Sequence, residues 1–220
     1  MIKGIFFDAA DVFYARREST MAYTVRLLRE LGYPARMSSE DAARHKELRH
    51  RASGGHLGSD AYWDEVLRMH GVSEPTERAR LAELVKAQAD DVYALPGAAE
   101  TVRSLKARGF IISIITDTVF PLARKMRWLT TIGIAAHIDH VACSTELGVN
   151  KPAPAIYLAA LRQAGLTVAE SAFVGHDTDE LAGARRVGMQ TVAVFNEPDA
   201  QADYYAASLP GLLDIPIFVR

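Results

Sequence analysis

Between Gly4 and Tyr14 the chain reads Gly-Ile-Phe-Phe-Asp-Ala-Ala-Asp-Val-Phe-Tyr, and the abrupt change from apolar residues to a carboxylate at Asp8 constrains the fold more than any other stretch. Ile5, Phe6 and Phe7 are apolar without alternation. A strand with one wet face alternates; a strand covered on both faces, as in a parallel sheet flanked by helices, does not. The carboxylate then falls where the strand leaves the sheet, and open parallel sheets bind ligands at that carboxyl edge. An aspartate at a strand end also suits an Asx-type turn, so Asp8 alone leaves a purely structural role open.

The same pattern returns after Pro96-Gly97. A helix over Ala98 to Ala107, closed by Gly109, leads into a largely apolar strand, Phe110 to Ile115, which ends in Thr116-Asp117-Thr118. Pro121 to Thr131 reads as a helix, His140 to Ser144 as a short strand, and Pro152 to Ala164 as a helix opened by Asn150-Lys151-Pro152. Ala172 to Gly175 is a strand ending in His176-Asp177-Thr178-Asp179-Glu180. A helix ending at Gly188 and a strand from Gln190 to Phe195 follow, and the remainder carries weaker signals. Repeated strand–helix units predict an α/β fold with a doubly wound, Rossmann-like parallel sheet and right-handed crossovers.

The segment from Ala15 to Val92 has a different rhythm. Apolar residues recur at helical spacing through Val25, Leu27, Leu28 and Leu31 until Gly32 and Pro34, and Ser38-Ser39-Glu40-Asp41 resembles a capping box opening a polar helix that reaches Ser53-Gly54-Gly55. Ser59-Asp60 caps a third helix over Ala61 to His70, and Pro75 begins a fourth that ends near Asp90. Four helices without strands cannot be layers of the sheet in sequence order. The expected organisation is therefore a core from residues 1–14 and 93–220, with 15–92 as a helical insert.

Composition narrows the ligand class. A chain of 220 residues with 49% apolar content can bury roughly 70% of its unfolded surface. The formal charge of -2, with both signs interspersed, gives no footprint for nucleic acid or an anionic membrane, so a small-molecule ligand is expected. Cys143 is the only cysteine, which excludes an intrachain disulfide or a cysteine-rich zinc site and favours a reducing compartment; its plain role is a small buried apolar residue. There is no signal-like start and no apolar stretch approaching about 18 residues. The expectation is a cytoplasmic protein, monomer or homodimer.

Asp8, Thr116, Lys151 and the acidic cluster Asp177, Asp179 and Glu180, in that order and with an apolar strand before all but the lysine, resemble the four motifs of the haloacid dehalogenase-like hydrolase superfamily. The likeness spans nearly the whole chain, and the insert resembles that family's cap domain in its small helical form. The resemblance implies that Asp8 is a nucleophile, that Thr116 hydrogen-bonds the transferring group, that Lys151 steadies charge and that the last acidic residues help to hold magnesium. Thr116, Asp117 and Lys151 are then the expected substrate-binding residues. A carboxylate attacking phosphorus in line divides one hard displacement into two easier ones. Two anions meeting in that step need a cation and fixed donors to neutralise them. Lys151 also suits a solvated residue at a helix start, although a lysine there opposes the helix dipole.

Two positions depart from the family pattern. The second aspartate that phosphatases of this superfamily carry two residues after the nucleophile is Ala10 here, so the usual general acid is missing; such a group contributes about 10² to 10⁴-fold. Asp11 stands one residue further on. Lacking that aspartate, the chain resembles the haloacid dehalogenases, which need no metal, and phosphonoacetaldehyde hydrolase, which also has Ala there. In the acidic motif the residue after Gly175 is His176 rather than Asp, and a lone histidine there also suits a structural hydrogen-bonder. Magnesium prefers oxygen ligands, so the expected metal set is Asp8, the main-chain carbonyl of Ala10 and Asp177, with His176 outside it.

Phosphonoacetaldehyde hydrolase forms a Schiff base on a cap lysine, and the insert offers Lys46 and Lys86, of which Lys46 sits in a strongly polar helix that suits solvent. Arg44, Arg49 and Arg51 could face an anionic substrate, while Tyr62 and Trp63 read as a core stripe. The expected function is a magnesium-dependent hydrolase of a small phosphorylated or phosphonate compound, with weak ordinary phosphatase activity. Two alternatives stand beside it: a metal-independent 2-haloacid dehalogenase-type hydrolase and a catalytically weakened binding protein.

Overall fold

The apolar run and its neighbours build a sheet covered on both sides. In the computed structural model, which describes residues 1–219, strand β1 (Gly4–Phe7) is buried at every position. After it come a short strand β2 (Tyr14–Ala15) and four helices: α1 (Thr20–Glu30), α2 (Ser39–Ser53), α3 (Ser59–Met69) and α4 (Pro75–Gln88). Strand β3 (Tyr93–Ala94) returns antiparallel to β2, and the alternating part follows: α5 (Ala98–Ala107), β4 (Ile111–Thr116), α6 (Leu122–Thr131), β5 (His140–Cys143), α7 (Ser144–Leu147), α8 (Pro154–Ala164), β6 (Ser171–Gly175), α9 (Thr178–Arg186), β7 (Gln190–Val194) and β8 (Tyr204–Ala206).

The main sheet has the order β5-β4-β1-β6-β7-β8, parallel throughout. From β1 the chain first builds outward through β4 and β5, then returns to the other side of β1 with β6. That reversal makes the carboxyl end of β1 a topological switch point, the place where such sheets open a crevice. Side chains alternate across the sheet as the pleat requires. Ile5, Phe7, Ile112 and Ile114 join the apolar layer formed with α5 and α6, whereas Phe6, Ile115 and Phe173 join Tyr157 and Leu161 of α8 and Leu181 of α9. Tyr157 meets Phe173 edge to face, with centroids 5.6 Å apart. Each fully buried aromatic or aliphatic chain of this kind contributes roughly 1.5–3 kcal/mol.

The helical segment has its own reasons for its boundaries. Ser19 caps α1 by accepting from the Ala22 amide, and Ser38 caps α2 by accepting from the Asp41 amide. Helix α3 begins at Ser59 with Gly58 as an N-cap that offers no side chain, so Ser59-Asp60 lies inside the helix and not before it. The two-residue ribbon β2–β3 marks where the segment leaves and rejoins the chain, pairing Tyr14 with Ala94 and Ala15 with Tyr93. Sequence periodicity does not show so short a ribbon. Other bounds shift from the sequence reading by a residue or two, and two of these bear on the polar strand ends: β4 starts one residue later and includes Thr116, and α8 begins at Pro154, so Lys151 lies in the turn ahead of the helix. No helix among the described residues is long and apolar enough to cross a membrane.

Candidate active site at the carboxyl edge of the sheet

Register places the polar strand ends side by side. Phe7 pairs with Ile114 on one side and Val174 on the other, which sets Asp8 level with Ile115 and Gly175; the Asp8 amide donates to the Val174 carbonyl at 2.9 Å. Thr116 therefore stands one step past Asp8 on β4, and His176 and Asp177 one and two steps past it on the β6 side. Asp8 is 6% exposed and Thr116 1%. Carboxylates at that burial need partners.

Lys151 is the partner. Its Nζ lies 2.5 Å from Asp8 Oδ1 and 2.7 Å from Glu180 Oε2, with its side chain 1% exposed. Burial works to discharge the ammonium, but Asp8, Glu180 and Asp117 together hold its pKa above the usual lysine value. Glu180 is raised, first by burial and then by the Asp8 charge, against the pull of Lys151. One cation thus serves two carboxylates. The loop that delivers it is fixed by Asp117, whose two oxygens accept from the Lys151 amide at 3.2 and 3.1 Å. Burial raises the Asp117 pKa, with Lys151 opposing. Of the three residues expected to bind substrate, Asp117 thus has a carboxylate engaged by the lysine's own main chain.

The acidic loop is held by its own hydrogen bonds. Asp177 is the N-cap of α9, its Oδ1 accepting from the Glu180 amide at 3.0 Å. His176 lies with Nε2 3.8 Å from Asp11 Oδ2, and its Nδ1 is buried without a hydrogen-bond partner. Asp11 has φ 57, in the left-handed region, and its side chain is 70% exposed. The extra step beyond Ala10 turns its carboxylate outward.

The donors can be set against the needs of a hard dication. Among the described residues no three His, Cys, Asp or Glu side chains form a metal-holding group. Asp8 and Asp177 each commit one lone pair of Oδ1, to Lys151 and to the Glu180 amide, so each carboxylate keeps acceptor capacity for another ligand. Two carboxylate oxygens and a main-chain carbonyl suit magnesium, which commonly takes one or two protein carboxylates and retains several waters.

A cavity of about 450 Å³ reaches from Ala10 and Asp117 at the sheet edge to His45, Arg49, Tyr62 and Trp63 of the helical segment; Asp8, Thr116 and Lys151 are not among the residues that line it. The aromatic pair read as a core stripe is indeed buried, at 2% exposure each, yet it also forms the cavity wall. Of the candidate cap lysines, Lys46 is exposed and Lys86 is held by Asp60 at 2.5 Å and Glu83 at 2.7 Å; neither lines the cavity. Arg49 is the arginine of that group that lines the wall; Arg44 pairs with Glu65, and neither it nor Arg51 reaches the cavity. Sequence reasoning missed Arg16 and Lys125, which line the same cavity. Their only sequence signal is proximity to Tyr14 and Trp128.

Comparison with known proteins bears on the same residues. Residues 5–194 match the profile of a family described as haloacid dehalogenase-like hydrolase. A glyceraldehyde 3-phosphate phosphatase of Methanopyrus kandleri is 29% identical over 202 residues, covering 88% of this chain and 84% of that protein. An (S)-2-haloacid dehalogenase 4A of Burkholderia cepacia is 29% identical over 121 residues, 54% of this chain and 50% of that one. The crystal structure of a 2-haloacid dehalogenase from Pseudomonas syringae pv. Tomato DC3000 superposes with a TM-score of 0.69 over 97% of both chains at 23% identity, a likeness of fold.

Proposed function

We propose, from the premise that this chain belongs to the haloacid dehalogenase-like hydrolase family, that it hydrolyses a small phosphorylated or phosphonate substrate through nucleophilic attack by Asp8. It is a hydrolase of the phosphatase or dehalogenase type. The observation that carries the finer reading is the single buried lysine shared by Asp8 and Glu180 at the carboxyl edge of β1. That arrangement holds Asp8 by its Oδ1 and leaves its Oδ2 for attack. The phosphatase relative matches most of the chain and the dehalogenase relative about half, which favours phosphorus as the centre attacked. We treat residues 15–92 as a cap over a core of 1–14 and 93–220.

In the first step Asp8 Oδ2 bonds to phosphorus as the bond to the leaving oxygen or carbon breaks, giving an aspartyl phosphate and a leaving group that takes a proton from solvent. Water then attacks the phosphorus, releases phosphate and restores the carboxylate. Thr116 donates to the transferring group, and Lys151 neutralises charge on the nucleophile side. Magnesium, when bound, would be held by Asp8, the Ala10 carbonyl and Asp177 and supplies further charge neutralisation. Because Ala10 carries no proton and Asp11 points outward, departure of a poor alkoxide leaving group is unassisted, so ordinary phosphomonoesters turn over slowly. A metal-independent dehalogenase-type displacement is the second reading, favoured by Ala10 together with the aromatic cavity wall.

The test is turnover across phosphomonoesters, acyl phosphates, phosphonates and 2-haloacids, with magnesium and with chelator, in the unsubstituted protein and in Asp8→Asn. The expected result is that Asp8→Asn lowers turnover by several orders of magnitude while the protein stays folded. Equal turnover in the two proteins would remove Asp8 from its role, and halide release insensitive to chelator would establish the second reading.

A further inference from the structure

The cavity holds two cations that hydrolysis at Asp8 does not use. Lys125, on α6, is 2% exposed, and its Nζ donates to the Tyr14 hydroxyl at 2.7 Å. Arg16, just past β2, donates from Nε to the Ala89 carbonyl at 2.8 Å, and its Nη2 is buried with no hydrogen-bond partner. Both cations lie over the same two rings. The Arg16 guanidinium is 4.4 Å from the Trp128 centroid and 5.7 Å from that of Tyr14, and Lys125 Nζ is 5.4 Å from each.

Neither cation forms an ion pair with a carboxylate among the described residues. Asp11 and Asp90 are the carboxylates whose charges reach Arg16: Asp11 is 70% exposed with His176 at 3.8 Å, and Asp90 accepts from Trp128 Nε1 at 2.7 Å and pairs with Arg124 at 3.5 Å; Asp117, whose charge is felt with Lys125, is engaged by the Lys151 amide. Ring faces offset part of the cost of burying a cation. They do not satisfy a guanidinium nitrogen, which requires an acceptor. A buried lysine and a half-buried arginine with a buried unpaired donor, opening onto a cavity, form a receptor for an anion.

We propose that Arg16 and Lys125 form a second anion subsite, which takes a carboxylate or phosphate carried by the substrate at the end remote from the reacting group. This rests on the Asp8-centred reading, since the same cavity reaches Ala10 and Asp117 at the sheet edge. The substrate class is then a small compound with two anionic groups. A monoanionic ester of similar length would leave the Arg16 Nη2 donor buried and unpaired.

Trp63 and Trp128, the two tryptophans of the chain, both line the cavity and report occupancy by fluorescence. Titrations in the Asp8→Asn background, where turnover does not interfere, would compare phosphoglycolate, a bisphosphorylated two-carbon diol and ethyl phosphate. At least one of the two dianionic-ended probes should bind roughly tenfold to a hundredfold more tightly than ethyl phosphate, the range for a hydrogen bond to a charged group. Which of the two is preferred identifies the anion. Arg16→Met and Lys125→Met should each erase the preference, with unfolding midpoints confirming that they fold. Arg16, half-buried, suffices should the Lys125 variant not fold. A preference that survives the substitutions, or none in the starting protein, overturns the subsite. Absence of turnover on every phosphoester in the unsubstituted protein would count against the hydrolase reading and leave this binding comparison intact.

Discussion

Replacing Lys151 with Met should cost about 3–5 kcal/mol of folding stability near pH 8, the range for removing one partner of a buried ion pair, and much less near pH 5. The wild-type ammonium lies 2.5 Å from Asp8 Oδ1 and 2.7 Å from Glu180 Oε2, and its side chain is 1% exposed. Methionine fills similar space, so the change removes charge more than packing. Two buried carboxylates then confront each other, and the cheapest remedy is a proton. In the wild type the raised Lys151 pKa contributes stability that is complete below the ordinary lysine value and is lost only as pH rises through the still higher folded value, so it is present from pH 5 to 8. Glu180 is already raised in the wild type against the pull of Lys151, and in the variant that pull is gone, so the carboxyl pair holds its proton to higher pH than the wild type does. Carboxyls raised in this way favour the unfolded chain increasingly as pH rises from the unfolded to the folded value, by about 1.4 kcal/mol for each unit of difference. Unfolding midpoints measured near pH 5 and pH 8 decide the matter. For a chain of this size about 2–4 °C accompanies each kcal/mol, so the variant should melt roughly 6–20 °C below the wild type near pH 8 and recover most of the gap near pH 5. A deficit of the same size at both values would refute the charge argument and leave only lost packing.

Ala10→Asp should raise hydrolysis of simple phosphomonoesters, by up to about 10² to 10⁴-fold, because it restores an acid beside the leaving group; steady-state kinetics on a panel of esters would show it, and no gain on any of them would mean that proton transfer does not limit the reaction. Gly55→Ala should destabilise the protein or displace the end of α2, because Gly55 has φ +73 and a Cβ there would collide with the Thr145 carbonyl oxygen; an unchanged melting curve and crystal structure would contradict this. Tyr157→Phe removes the hydroxyl that donates to the Glu180 carbonyl at 2.8 Å and should cost on the order of 1 kcal/mol by urea titration, whereas a stabilised variant would show that the bond holds the loop in a strained position.

Asp8 and Thr116 were legible in the sequence because a parallel strand has to be apolar along its length and can place polar side chains only where it ends. Lys151 was legible through its place in the motif order and at the start of a helix opened by Pro152, but its two carboxylate partners were not. Glu180 reaches Lys151 only because Asp177 caps α9 and so sets the angle at which the first turn leaves β6. The role of Asp117 was hidden for a similar reason: a side chain that accepts from a main-chain amide 34 residues away leaves no periodic trace. Arg16 and Lys125 read as ordinary charges. Only the fold lays them over Tyr14 and Trp128. The ribbon of β2 and β3 and the closing strand β8 escaped because two or three residues are too few to carry a pattern of period two.

Asn150, the residue before the shared lysine, reaches across to α2, its Nδ2 lying 2.9 Å from Ser53 Oγ and 3.2 Å from the His50 carbonyl. The helical segment is thus tied to the loop that carries Lys151. Parting that contact would pull on the loop whose lysine holds Asp8 Oδ1, so the helical segment and the support of the nucleophile share one short stretch of chain.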